Sequence, residues 1–314
     1  MSLKSVLCVP LVSATLGACG GSPDLVVYVA LDQVFSQELI AEFERETGLE
    51  VRAEYDTEAS KTVFLVNRIV EEANHTRCDV FWNNEVAHTV SLAQQGLLQA
   101  YDSPSAADIP ELFRDPERRW TGFAARARCL IVNTDLVPDP SVVHGMWDLL
   151  DPRWAGQVGI ARPLTGTTLT HATALYDVLG EEQAERYLKT IADGSLTDDP
   201  PVNVVRSNGQ LMKLVASGQL AWGWTDTDDF NVARERGDPV AIVYPDQEPV
   251  EEGGKPLGTL LIPNTVCVIK DAPHPDAARR FVDWVLSREI EERLAFARSA
   301  QIPVRADVPR PDYV

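Results

Sequence analysis

Apolar positions along this chain repeat with two rhythms that alternate. Residues 25–30 (LVVYVA) form an unbroken apolar run of strand length. Phe35, Leu39, Ile40 and Phe43 then recur at helical spacing until Thr47-Gly48 closes the pattern. Residues 49–55 alternate as a second strand, and Asp56-Thr57-Glu58-Ala59 opens a helix with Val63, Val66, Ile69 and Val70 on one face. Residues 79–82 read as a third short strand ending in Asn83-Asn84-Glu85, and the helix after it stops at Gly96. This βαβαβα order predicts a parallel sheet covered by helices.

After a loop punctuated by Pro104, Pro110 and Pro116, residues 120–133 (WTGFAARARCLIVN) predict a long strand with Arg126 and Arg128 on one face. The second βα rhythm runs through strands at 158–161, 202–204 and 219–224, with helices beginning near Thr168, at 181–191 and at 209–216. A helix is expected over 230–236 and a polar loop over 246–256. Strands follow at 258–262 and 264–269, then a last helical region over 275–297 with Ala278, Phe281, Val282, Val285 and Ile290 as its buried stripe. No internal repeat or low-complexity linker interrupts the pattern. The class is therefore α/β, with two lobes and the chain crossing between them near 131–135 and 252–257.

Ligands of open α/β sheets bind at the carboxyl ends of strands. Asp32, Thr57, Glu58, Asn84 and Glu85 all stand at such ends. Thr165-Gly166-Thr167-Thr168 leads a strand into a helix, where free backbone N–H groups would suit an anion. The densest cluster is Asp226-Thr227-Asp228-Asp229, directly after Trp222-Gly223-Trp224. If the chain stays extended there, Asp226 and Asp228 share a face. If a helix begins, the same residues are an Asp-rich N-cap favoured by the helix dipole. Either way, three carboxylates so close repel one another unless a cation, donors or water answer them.

Composition narrows the picture. The 314 residues carry a net charge of -19, which speaks against nucleic acid as a partner. Lys4, the apolar residues up to Val12, and Leu16-Gly17-Ala18-Cys19 read as a secretory signal, with 1–23 as signal and tether. No later run reaches the roughly 18 apolar residues of a membrane span. Cys78, Cys129 and Cys267 lack metal-ligand spacing and are expected as buried thiols, and His75, His88, His144, His171 and His274 are scattered. Trp82, Trp222 and Trp224 are expected in the core.

Taken in order, the tether, LVVYVALDQ, YDTEASKT, CDVFWNNE, GFAARARCLIVNTD, PLTGTT and PHPDAARRFVDWVLS resemble bacterial extracellular solute-binding proteins of ABC transporters, closest to the ferric-iron-binding branch. Leu16-Gly17-Ala18-Cys19 resembles a lipobox, with Cys19 as the lipidated residue of a membrane-anchored extracytoplasmic lipoprotein. The resemblance implies a type II periplasmic binding fold, with lobe one at 24–132 plus 255–314 and lobe two at 133–254. It implies a cleft ligand delivered to a membrane permease, no catalysis and no catalytic cofactor.

By the same resemblance Asp32 takes the place of a His, Glu85 that of a Glu, and Thr165–168 that of an anion-binding loop. Adjacent tyrosines of the ferric-binding relatives are replaced here by Thr227-Asp228, a departure from a ferric–tyrosinate centre. The implied metal ligands are Asp32, Glu85, Asp226 and Asp228, an all-oxygen set suited to iron(III) or another hard cation. Arg126 or Arg128 and the 165–168 loop would hold a synergistic anion. An organic solute such as 2-aminoethylphosphonate or a carboxylate is the alternative cargo. The Asp-x-Asp pair also resembles metal-dependent transferases and phosphatases, but no phosphate loop or nucleophile elbow accompanies it.

Overall fold

The computed structural model describes residues 22–31, 33–56, 63–194, 201–249 and 255–311. Cys19, Asp32, Thr57 and Glu58 lie outside the described residues. The first half of the chain forms β1 (Leu25–Val29), α1 (Gln33–Thr47), β2 (Val51–Tyr55), α2 (Val63–Glu71), β3 (Val80–Asn83), α3 (Ala87–Gln94), β4 (Leu98–Gln99) and the long β5 (Thr121–Asn133). Then come β6 (Val158–Ala161), α4 (Gly166–Leu179), α5 (Glu181–Gly194), β7 (Val202–Val205), α6 (Asn208–Ala216), β8 (Trp222–Asp226), α7 (Thr227–Glu235) and β9 (Val240–Val243). The chain closes with β10 (Leu261–Ile269), α8 (Pro275–Val285) and α9 (Arg288–Phe296).

The strands run in the order β2-β1-β3-β10-β5-β8-β6-β7, with β4 on β10 and β9 on β5. β1 pairs in parallel with β2 and β3, and β6 pairs in parallel with β7 and β8. β5 joins the two halves. Its residues 121–127 pair antiparallel with β10, and residues 128–132 pair antiparallel with β8. The exchange of partners at Ala127–Arg128 lies inside one continuous buried strand.

Each half buries apolar side chains on both faces of its sheet. Leu25, Val27 and Val29 enter one core cluster while Val26 and Tyr28 enter another. In the second half Leu130, Val132, Trp222 and Trp224 lie on one face, and Cys129 and Ile131 on the other. Burial on both sides explains why β1 and residues 129–132 of β5 read as unbroken apolar runs. Trp82, Trp222 and Trp224 are fully buried, and Cys78, Cys129 and Cys267 are buried free thiols. No helix among the described residues is long and apolar enough to cross a membrane.

Several local expectations are corrected. The strands read at 258–262 and 264–269 are the single strand β10, whose register shifts between Pro263 and Asn264. Pro263 has no N–H to give the ladder, so the irregularity falls beside it. The region 275–297 breaks into α8 and α9, because Ser287 caps α9 by accepting a hydrogen bond from Ile290 N–H. The strand β9 gives no alternation signal, since all four of its residues are half-buried.

Candidate ligand-binding cleft

Asp226 is the last residue of β8 and the N-cap residue of α7, which begins at Thr227 rather than near 230. The chain therefore does not stay extended through Asp228, and Asp228 and Asp229 occupy the first turn of α7. Carboxylates are favoured there by the unpaired N–H groups and the helix dipole. The turn still keeps the cluster together: one oxygen from each of Asp226, Asp228 and Asp229 lies within 4.8 Å of the others.

Arginines from β5 answer this charge. Arg128 stands directly opposite Asp226 in the β5–β8 ladder, and its Nη1 donates to Asp226 Oδ1 at 2.7 Å with both residues buried. The other carboxylate oxygen accepts from Thr167 Oγ1 at 2.5 Å and Asn208 Nδ2 at 2.9 Å. Asp226 thus ties β5, the start of α4 and the start of α6 together. Arg126, two residues earlier on the same face, lies 3.6 Å from Asp228 Oδ2 and donates to Asn264 Oδ1. Asp229 Oδ2 accepts from Thr225 Oγ1.

A cavity of about 140 Å³ opens in front of this cluster. Asn84, Arg126, Thr165, Gly166, Thr167, Thr168, Asp226, Asp228 and Asp229 all line it. Arg126 faces the cavity and Arg128 is buried behind it. Two further arginines, Arg162 and Arg206, complete the wall, with Ser207 and Asn208 at the start of α6. Neither of these two arginines was expected as a site residue. Each follows the last residue of a parallel strand, β6 and β7, so the strand-end rule that selected Asp32 and Glu85 would have found them. Gly166 at the start of α4 has φ +60, with open space where a Cβ would stand. The N-cap residue Thr165 makes no side-chain capping bond, so the first N–H groups of α4 are available to a ligand.

The cavity is bipolar. Three carboxylates (Asp226, Asp228, Asp229) face three guanidinium groups (Arg126, Arg162, Arg206). Such a surface suits a cargo that carries both signs, either a metal with its anion or a zwitterion.

Glu85 is differently employed. It is fully buried at the end of β3, beyond the wall of the cavity. Its oxygens accept from the N–H groups of Ala87 and His88, from Asn83 Nδ2 and from Thr170 Oγ1, and His88 Nδ1 lies 3.0 Å away. Burial alone would raise its carboxyl, but the His88 ring and these donors outweigh that and hold it below the usual value. The same bond raises His88 against its own desolvation. The Thr170 contact is a direct hydrogen bond from α4 to the β3 end, so it spans the two halves of the sheet.

Comparison with known proteins agrees with this architecture. The chain is 26% identical to iron uptake protein A1 of Synechocystis sp. over 98% of its own length and 87% of that protein's. Its structure is similar to that of iron-bound HitA from Pseudomonas aeruginosa, with a TM-score of 0.79 and 23% identity over 92% of this chain and 89% of that one. It is also similar to the Trichodesmium protein IdiA (FutA) in complex with iron and citrate, with a TM-score of 0.73 and 24% identity over 92% of this chain and 89% of that one. The fold is the two-lobed type II periplasmic binding fold. The bacterial extracellular solute-binding protein profile matches residues 38–314, and the chain belongs to that family.

Proposed function

We propose that the protein is the substrate-binding component of an ABC importer, and that its cleft takes iron(III) together with an oxygen-rich anion. The bipolar cavity carries this reading. Asp228 and Asp229 supply hard oxygen ligands, while Arg162, Arg206 and the α4 N-terminus supply the anion's donors. Iron uptake protein A1 and the iron- and citrate-bound relative support the choice of cargo. The lobes, 24–132 with 255–314 and 133–254, would close on cargo about β5 and the segment that returns to β10, and the closed form would be read by the permease. Cys19 would carry the lipid anchor, and Cys19→Ala should then shift the protein from the detergent to the aqueous phase in a partition assay.

A second reading rests on the arginines. Arg128 and Arg126 already balance Asp226 and Asp228, so an ammonium-bearing anion such as 2-aminoethylphosphonate also fits. The deciding experiment is a melting-temperature panel on chelator-treated protein with iron(III) citrate, citrate alone, manganese, calcium, zinc, phosphate and 2-aminoethylphosphonate. Stabilisation by iron(III) citrate beyond citrate alone supports iron. Stabilisation by 2-aminoethylphosphonate without any metal response replaces iron by the organic solute. Silence from every compound overturns both.

A further inference from the structure

A second cavity, of about 410 Å³, lies beside the polar one and is mainly apolar. Val86, Trp120, His171, Leu175, Trp224 and Leu261 are among the residues that line it, so it too is walled from both halves of the sheet. Three elements run from one cavity to the other. After β3, Asn84 faces the polar cavity and Val86 the apolar one. On α4, Thr167 and Thr168 face the first, and His171 and Ala174 the second. At the end of β8, Asp226 faces the first and Trp224 the second. Glu85 and Thr170, which line neither cavity, fall between the first two of these pairs and hydrogen-bond to each other.

One polar group in the wall of the apolar cavity has unused capacity. His171 is only 8% exposed, and its ring makes no hydrogen bond among the described residues. Its ring lies 4.5 Å from the Trp224 ring, and burial together with Arg128 lowers it to about 3, so it is neutral. Arg128 stands over the Trp224 ring at 5.8 Å, and its Nε and Nη2 have no hydrogen-bond partner. An apolar chamber of this size with a few oriented polar groups is the usual make-up of a small-molecule site.

We propose that the apolar cavity is a second chamber of the cleft, and that it takes an aromatic or branched apolar group carried by the anion whose head occupies the polar chamber. The cargo class is then an organic anion with an apolar body, free or as the chelator of a metal. This rests on the cleft being the ligand site, as proposed above. His171 would offer a hydrogen bond to a carbonyl or hydroxyl on that body, and the Glu85–Thr170 bond would open to admit the link between head and body.

The test compares phenylphosphonate with methylphosphonate by calorimetry, on the wild-type protein and on Ala174→Phe and Val178→Trp. Ala174 is half-buried on the wall and Val178 is exposed at the rim, so at least the second variant should fold normally. The expected result is that the wild type binds the phenyl compound about tenfold tighter than the methyl compound, from the apolar area buried. Each folded variant should bind both compounds alike, with methylphosphonate affinity unchanged. Equal binding of the two compounds by the wild type overturns the second chamber alone, as does a phenyl advantage that survives both variants. Failure of both compounds to bind overturns the chamber together with the anion-binding half of the cleft.

Discussion

Glu85 and the Asp226–Asp228–Asp229 cluster occupy equivalent places, each at the end of a central strand where a helix begins, yet they are wired differently. Every donor that reaches the Glu85 carboxylate comes from residues 83–88 or from Thr170, and the carboxylate is sealed. In the cluster, Asp226 is likewise sealed by Arg128, Thr167 and Asn208, but Asp228 and Asp229 are only partly buried and face the cavity beside Arg126, Arg162 and Arg206. A strand-end carboxylate is thus not a ligand by position. What distinguishes the two kinds is how far the carboxylate is buried, because a sealed carboxylate gives up several donors before it can take a cation, whereas a partly exposed one can be reached from the cavity.

The sharpest way to break this contrast is Arg128→Ala. It leaves Asp226 buried without its ion partner and should cost about 3–5 kcal/mol, read as a lower urea midpoint. A loss below about 1 kcal/mol would mean that Asp226 is not held as described.

Glu85→Gln comes next, at about 1–3 kcal/mol, since it unties the His88 bond and weakens the cap on α3. It should also change the pH profile. His88 is raised above its ordinary 6.5, so the pair's contribution is complete below that value and is lost as pH rises through the folded-state value. Glu85 is lowered from 4.5, so its contribution is complete above that value and is lost as pH falls through the folded-state value. Stability attributable to the pair therefore peaks between about 4.5 and 6.5. Subtracting the Glu85→Gln profile from the wild type should show that peak, and a flat difference would remove the pair from the account.

A half-buried carboxylate, Asp246, behaves oppositely. Burial raises Asp246 to about 6, the Met146 N–H bond lowers it and Asp148 raises it further. A raised carboxyl takes up its proton in the folded state first, so it destabilises the fold as pH rises from about 4 to above 6. Asp246→Asn keeps an acceptor for Met146 and tolerates the φ of +59 at this position. Removing the charge should stabilise by roughly 1–2 kcal/mol at pH 7, allowing for screening by water at this partly exposed group, and by almost nothing at pH 4. Equal effects at both pH values would contradict the assignment.

Asp228→Asn should move stability least, by about 1 kcal/mol or less, because the side chain is partly solvated and its arginine lies 3.6 Å away. The same variant should abolish stabilisation by the cargo. Retained ligand response in Asp228→Asn would place the open carboxylate outside the site.

Much of the fold could be read from local pattern. The run at β1 and the stretch 129–132 of β5 are apolar at every position because these strands are covered on both faces, and the helices between them show their stripes plainly. Asn84 was visible because the strand-end rule needs only the order of elements, the 165–168 loop because it opens a helix, and the Asp cluster because its carboxylates are adjacent in sequence. Local pattern missed the half-buried β9, the break at Ser287 and the two outlying arginines, Arg162 and Arg206, which sit in turns with no periodicity of their own.

Which carboxylates are open was not legible at all. Asp226 and Arg128 are 98 residues apart, and Glu85 and Thr170 are 85 apart, yet each pair forms a single buried contact. Composition and spacing place acids at strand ends because those choices are made within a few residues. The closing of Glu85, the neutralising of Asp226 and the joining of Val86, His171 and Trp224 around one apolar chamber depend on strand register and on helices brought together across the sheet. Hydrogen bonds and burial act over a few ångströms of space, and neighbours at that range are assigned by the folded chain rather than by distance along it.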